Sequence, residues 1–182
     1  MTEVPTTYHW TPDGFVRAWA AGAFNGRVEL IEGEVWTVVI GGWHGFAVLR
    51  VAECLPRKGF RKSNGTLPTA GSLPDPDCWI VRANAEPIGK IGARIDVWDS
   101  KDVPLVIEIS DETVVADLNV KSKLYARGGY AVYWVITKDA VYEHTEPRVS
   151  GYAVVRKFLP GERIPVRYAD TDIAVDDLLF DE

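Results

Sequence analysis

The chain has 182 residues, 47% of them hydrophobic and 25% charged, which is the composition of a globular protein and not of a disordered one. Lysine and arginine total 20 against 26 aspartates and glutamates, a net charge of −6, so bulk charge offers no attraction to a polyanion. Such a partner would need a local basic patch or a bound metal cation, and the length fits one domain over residues 1–182 whose core needs no disulfide staples.

Residues 1–10 read as a loose lead-in. Thr11-Pro12-Asp13 is a helix start, with Thr as N-cap, Pro at the first helical position and Asp near the positive dipole end. Phe15, Ala18 and Trp19 then share one face, and Gly22 and Gly26 end the short helix. RVELIEGEVWTVVI reads as a hairpin with Glu32-Gly33 at its tip. Residues 43–55 read as a mostly buried helix stopped by Pro56. The stretch after it carries Lys58, Arg61 and Lys62 and is expected to be part strand with a mobile tip. CWIVRA is a strand, and 84–104 reads as irregular. LVIEIS (105–110) has the near-continuous apolar character of a central strand covered on both faces. Residues 113–127 form the clearest helix, ended by Gly128-Gly129. YAVYWVIT is a second buried strand. VYEHT, GYAVVRKFL and RIPVRY read as a β-meander, and DTDIAVDDLLF closes the chain with one helical turn. The order describes an α+β or mixed α/β domain around a central sheet.

Cys54 and Cys78 lie 24 positions apart with no CxxC spacing, which excludes a disulfide scaffold and a cysteine-rich zinc site. The N-terminus lacks the basic-then-apolar pattern of a signal peptide, and no apolar run reaches the length of a membrane span. The expectation is a soluble cytoplasmic protein with no membrane partner. No phosphate-cradling glycine loop with Walker spacing is present, which disfavours nucleotide hydrolysis. His9, His44 and His144 share no metal-ligand spacing.

The informative feature is a carboxylate inside LVIEIS. Alternation puts Leu105, Ile107 and Ile109 on one face and Val106, Glu108 and Ser110 on the other. A mid-strand Glu is costly unless it is paired, metal-bound or protonated. The bland alternatives are a strand edge or a buried salt bridge. In the following helix Val114, Leu118, Lys121 and Tyr125 are spaced 4, 3 and 4, within about 60° of arc, so Lys121 occupies the apolar stripe. It could instead snorkel outward or pair with Asp117 at i,i+4. Glu108 lies roughly 13 Å along the strand before Glu112, and Lys121 roughly 13 Å along the helix after it. If the helix folds back, the two side chains are level. Asp77, where PDPD opens the strand CWIV, adds a second carboxylate, or else serves only as a turn residue. Asp75 is its rival, and Asp77 is preferred because it directly precedes the strand. Carboxylate oxygens of this kind hold Mg²⁺, and a neighbouring lysine orients water and supports charge on a phosphorus centre.

These residues resemble the Uma-type family of bacterial endonucleases, once a domain of unknown function, with the PD-(D/E)XK restriction-endonuclease-like fold. The resemblance runs from about Val28 to the C-terminus. It is carried by RVELIEGEV, His44 at a helix start, Pro76-Asp77 before CWIV, LVIEIS with Thr113, Asp117, Lys121 and Tyr125, and Gly129 with Tyr133-Trp134. It implies an α/β (α+β) fold: a central mixed β-sheet flanked by helices, with an extra N-terminal hairpin and a C-terminal β-meander. It also implies a Mg²⁺- or Mn²⁺-dependent endonuclease acting on DNA, with Asp77, Glu108 and Lys121 as catalytic residues. Asp77 and Glu108 would hold the metal, with Glu29, Asp117 and His44 as additional members. Ser110 stands where the simplest form of the motif has lysine, and the resemblance agrees with the geometry that Lys121 replaces it from the helix. Asp111-Glu112 replaces a more usual Pro-Ser, and Thr137 replaces an Asp. Taken alone, Glu29 could be a surface charge, His44 structural, and Lys58, Arg61 and Lys62 an ordinary solvated loop. The competing functions are an inactive nuclease-fold module that binds nucleic acid or a protein partner, and a carboxylate-pair hydrolase acting on a sugar. A homodimer is expected only from the general frequency of two-fold assemblies.

Overall fold

A computed structural model describes residues 6–38, 41–111 and 113–179. Residues 1–5 of the lead-in, the last two residues of the expected hairpin, Glu112 and the final three residues lie outside them.

Helix α1 (Pro12–Ala20) starts as expected, with the Thr11 hydroxyl accepting the Gly14 N–H at 3.2 Å. Phe15 packs in a small cluster with Val28, Leu30 and Leu73. Trp19 does not follow it inward. One turn further along, it passes the edge of that cluster and is 48% exposed. Strands β1 (Val28–Ile31) and β2 (Glu34–Thr37) form the expected hairpin. Its tip has positive φ at both Glu32 (52°) and Gly33 (86°), the backbone of a type I′ turn that matches strand twist. Helix α2 (His44–Cys54) buries Ala47 and Val51, while Phe46 and Leu49 face outward. It is therefore half-buried and not mostly buried, because one flank alone meets the sheet.

Strands β3 (Phe60–Ser63) and β4 (Cys78–Arg82) follow. Arg61 and Lys62 lie in β3 and donate to the carbonyls of Ala85 and Ala52, so they belong to a strand and not to a solvated loop. The stretch expected to be irregular contains a second hairpin, β5 (Gly89–Ile91) with β6 (Ile95–Val97), and a 3-10 turn (Ser100–Asp102). Its three-residue strands are too short to leave a periodic trace. Strand β7 (Leu105–Ile109) leads to α3 (Val114–Ala116), a π-helical turn (Asp117–Lys121) and α4 (Ser122–Arg127). The expected single helix thus carries a wider turn, in which the Ser122 N–H reaches back to the Asp117 carbonyl. The Tyr133 hydroxyl donates to that same carbonyl at 3.2 Å.

Strands β8 (Val132–Ile136), β9 (Val141–Arg148) and β10 (Gly151–Phe158) form the meander. Strand β11 (Arg163–Val166) leaves it and pairs with β12 (Thr171–Ala174), before the short helix α5 (Val175–Leu178). The reason is burial. Ile164 and Val166 are fully enclosed in the cluster that α2 shares with the sheet, so β11 covers a face and does not extend an edge.

The central sheet has six strands in the order β10-β9-β8-β7-β4-β3. Strands β7 and β8 are parallel, and the other neighbouring pairs are antiparallel. A parallel pair needs a crossover, and the helix bearing Lys121 is that crossover. Leu105, Ile107 and Ile109 pack with Trp134 against α2, β11, β12 and α5. Val106 lies on the opposite face with Trp79, Tyr125 and Tyr133. The alternation read from LVIEIS holds, and β7 is covered on both sides. Among the described residues, no helix is long and apolar enough to cross a membrane.

His144 on β9 is buried between Tyr133 and Tyr152, with no hydrogen bond to its Nδ1. Burial holds its pKa below the ordinary 6.5. A depressed value means that the neutral ring's contribution to stability is present above the unfolded value and lost as pH falls through the folded one. Chemical denaturation of the parent and His144→Gln from pH 7.5 to 4.5 should show a steeper loss in the parent below pH 6.5. Parallel profiles would contradict this.

Candidate active site

Strand β7 delivers Glu108 to the face under the crossover helix, and Lys121 comes down on it from the π turn. Lys121 Nζ lies 2.9 Å from Glu108 Oε1 and 3.1 Å from Glu29 Oε2, with Asp117 Oδ1 further away at 3.8 Å. Lys121 is 8% exposed, Glu108 4% and Glu29 3%. The lysine therefore does not snorkel outward, and its i,i+4 partner is the most distant of its three anions. Tyr125, one turn later, donates its hydroxyl to the same Glu108 oxygen at 3.1 Å. Two members of the stripe read from the sequence, Lys121 and Tyr125, thus converge on one carboxylate oxygen.

Asp77 sits at the mouth of β4, where its Oδ2 accepts the Ile109 N–H at 2.7 Å and contacts His44 Nε2 at 3.1 Å. These two contacts place the carboxylate beside Glu108, across the β4–β7 pair. Its neighbour Asp75 is held differently. Its N–H donates to Glu29 Oε1 at 2.8 Å, and its carboxylate takes the Thr66 hydroxyl at 2.5 Å. Asp117 accepts hydrogen bonds from Ser110 and, at 2.7 Å, from Thr113. Ser110, standing where a simpler motif has lysine, thus anchors the helix that supplies the lysine. Glu32 stays at the hairpin tip and pairs with Arg127.

Glu29, His44, Asp77, Glu108, Asp117 and Lys121 all line one cleft of about 190 Å³. All six residues singled out in the sequence meet there. Arg27 and Trp43 line it as well and were not anticipated. Arg27 directly precedes the hairpin motif, and Trp43 directly precedes the helix-starting His44, so adjacency to known motifs was the available signal.

Burial pushes Glu108 well above the usual carboxylate range, against the lowering pull of Lys121, and Asp77, Asp117 and Glu29 add to the rise. Glu29 is raised for the same leading reason. Burial works to lower the Lys121 pKa, but Glu108, Glu29 and Asp117 outweigh it and hold the ammonium above its ordinary range. The hydrogen bond to Asp77 raises His44. The site thus concentrates more anionic than cationic groups around one fixed lysine, a potential that a divalent cation would relieve.

Among the described residues no three His, Cys, Asp or Glu side chains form a metal cage. Mg²⁺ does not require one, because it is commonly held by one or two carboxylates and keeps several waters. Asp77 and Glu108 suit that pattern. Each commits one oxygen to the protein, and among the described residues no hydrogen bond reaches Asp77 Oδ1 or Glu108 Oε2.

The fold is a mixed sheet with helices on both faces and added hairpins. It matches the crystal structure of "a putative nuclease belonging to DUF820" from Anabaena variabilis with a TM-score of 0.63 and 18% identity, covering 93% of this chain and 97% of that one. The chain belongs to the Uma2 family, described as "Putative restriction endonuclease", which it matches over residues 18–172. That match begins inside α1, upstream of Val28, and ends in β12 short of the C-terminus. No curated protein matches the sequence.

Removing the lysine charge should leave Glu108 and Glu29 buried without a counter-ion. Urea denaturation at pH 7 should show Lys121→Met less stable than the parent by about 3–5 kcal/mol. Adding Glu108→Gln to it should restore part of the loss. A double variant no more stable than Lys121→Met would show that the ion pair is not what holds the helix to β7.

Proposed function

We propose that the protein is a divalent-metal-dependent endonuclease that hydrolyses phosphodiester bonds of DNA at Asp77, Glu108 and Lys121. The observation that carries this reading is the 2.9 Å approach of Lys121 to Glu108 in a cleft that Asp77 also lines. The family description supplies the reaction class and supports DNA as the substrate.

Asp77 and Glu108 are the residues that would hold Mg²⁺ or Mn²⁺. Such an ion, when bound, lowers the pKa of a coordinated water and offsets charge on phosphoryl oxygens. Lys121 is a fixed cation in this scheme. Its pKa is held above the ordinary range, so at neutral pH it donates hydrogen bonds and charge and does not act as a base. It orients a water beside Glu108 and supports the negative charge that builds on phosphorus as a fifth oxygen approaches. Glu29 holds the ammonium from the opposite side. His44 and the Ile109 N–H keep the Asp77 carboxylate in one orientation. The net charge of −6 gives the chain no general attraction for DNA, so a phosphate would be drawn by the bound cation, Lys121 and Arg27.

Cleavage of plasmid DNA with Mg²⁺ or Mn²⁺ tests the assignment. Asp77→Asn, Glu108→Gln and Lys121→Met should each cut at least roughly 100-fold more slowly than the parent, and a chelator should abolish cutting. Variants as active as the parent would sink it. Calorimetric titration of Mn²⁺ without DNA should show binding in the parent that Glu108→Gln loses. A parent that neither binds metal nor cuts DNA would favour a nuclease-fold binding module instead.

A further inference from the structure

Beside the cleft lies a second, larger pocket that the catalytic scheme does not use. It has a volume of about 320 Å³, within the roughly 300–1,000 Å³ of small-ligand sites. Helix α1 supplies Phe15 and Trp19 to its apolar lining, and the β5–β6 turn supplies Arg94. Arg27 and Asp75 line both this pocket and the cleft, so the two cavities share a wall.

The chemistry of the lining selects a class of ligand. Trp19 is 48% exposed, an indole face held at the rim of an apolar pocket with no core role that explains it. Arg27 and Arg94 are both exposed and put two guanidinium groups at its border. The one acid in the pocket, Asp75, has its oxygens engaged by Thr66 at 2.5 Å and by Arg27 at 3.9 Å, and a carboxylate so placed can still accept from an amino group. A flat aromatic body, an edge bearing a donor and flanking negative charge together describe a nucleotide. Base-on-indole stacking and arginine-to-phosphate contacts are the usual means of holding an unpaired one.

We propose that this pocket receives an unpaired nucleobase of the same strand whose phosphate occupies the cleft. Trp19 stacks on the base, and Arg27 and Arg94 hold the phosphates on either side. The inference rests on the nuclease reading of the cleft and narrows its substrate to DNA with a single-stranded or extruded nucleotide next to the scissile bond. Blunt duplex, whose bases are all stacked, would leave the pocket empty.

Fluorescence anisotropy tests this with Glu108→Gln as the non-cutting background, using a labelled single strand and a blunt duplex of equal length in buffer without divalent metal. The background protein should bind the single strand at least tenfold more tightly. Adding Trp19→Ala should remove about tenfold from single-strand binding and leave the duplex unchanged. Trp19→Phe, which keeps an aromatic face, should retain most of the preference, and that retention separates stacking from a folding defect. Arg94→Ala should lower the salt dependence of single-strand binding by about 0.7 in log–log slope. Equal affinity for the two DNAs, or a preference untouched by Trp19→Ala and Arg94→Ala, would overturn the proposal. These readouts need no cleavage. Failure of the parent to cut DNA would therefore count against the catalytic reading, while loss of the strand preference alone would count against the base pocket.

Discussion

The structure is organised around one constraint, that a lysine ammonium carried beneath a β-sheet needs anions from several directions. Lys121 finds them on three separate pieces of chain: Glu108 from the central strand, Glu29 from the N-terminal hairpin and Asp117 from its own helix. No one of these elements could hold the charge alone. Burial penalises every group in the cluster, and the cluster persists because each carboxylate also has a donor besides the lysine. Glu108 has Tyr125, Glu29 has the Asp75 N–H, and Asp117 has Ser110 and Thr113. The hairpin is thus tied to the sheet by charge, while Leu30 packs on Leu73 in the segment between β3 and β4.

This arrangement divides labour between strand and helix. The strands present carboxylates at fixed spacing, because Asp77 is locked onto the Ile109 N–H across the β4–β7 pair. The helix presents the cation. The π turn sets where that cation falls, and its Asp117 carbonyl accepts from Tyr133 of the neighbouring strand as well as from the Ser122 N–H. Such bulges concentrate at functional sites. The excess of acids over bases leaves the cleft suited to a positively charged occupant, and that suitability follows from the protein's own side chains.

Much of this was legible in the sequence, for specific reasons. A glutamate amid Leu, Val and Ile is conspicuous, and strand alternation places it on a face without ambiguity. A lysine at the helical spacing of Leu118 and Tyr125 is equally conspicuous, and level placement of the two followed from the rises of strand and helix. Glu29 was harder, because a four-residue strand does not reveal which side it buries, and the structure encloses all four of its residues. The π turn was invisible, since nothing in Asp117–Lys121 taken alone signals a wider turn, and the Tyr133 hydroxyl that meets its Asp117 carbonyl comes from another strand. Trp19 misled because amphipathic spacing says which residues share a face, not how far along the helix the neighbouring core extends. β11 misled because a run such as RIPV fits an edge strand and a covering ribbon equally well.

Glu29 and Lys121 are 92 positions apart in the chain, and strands β3, β4 and β7 of the central sheet lie between them. A folding chain must therefore complete a long loop before its central lysine has all its partners. Non-local pairings of this kind carry loop-closure entropy that is recovered only when they form. The N-terminal hairpin, itself a local structure, closes that loop by docking. A chain with its sheet formed and its hairpin undocked would lack the wall of the cleft that Arg27 and Glu29 supply.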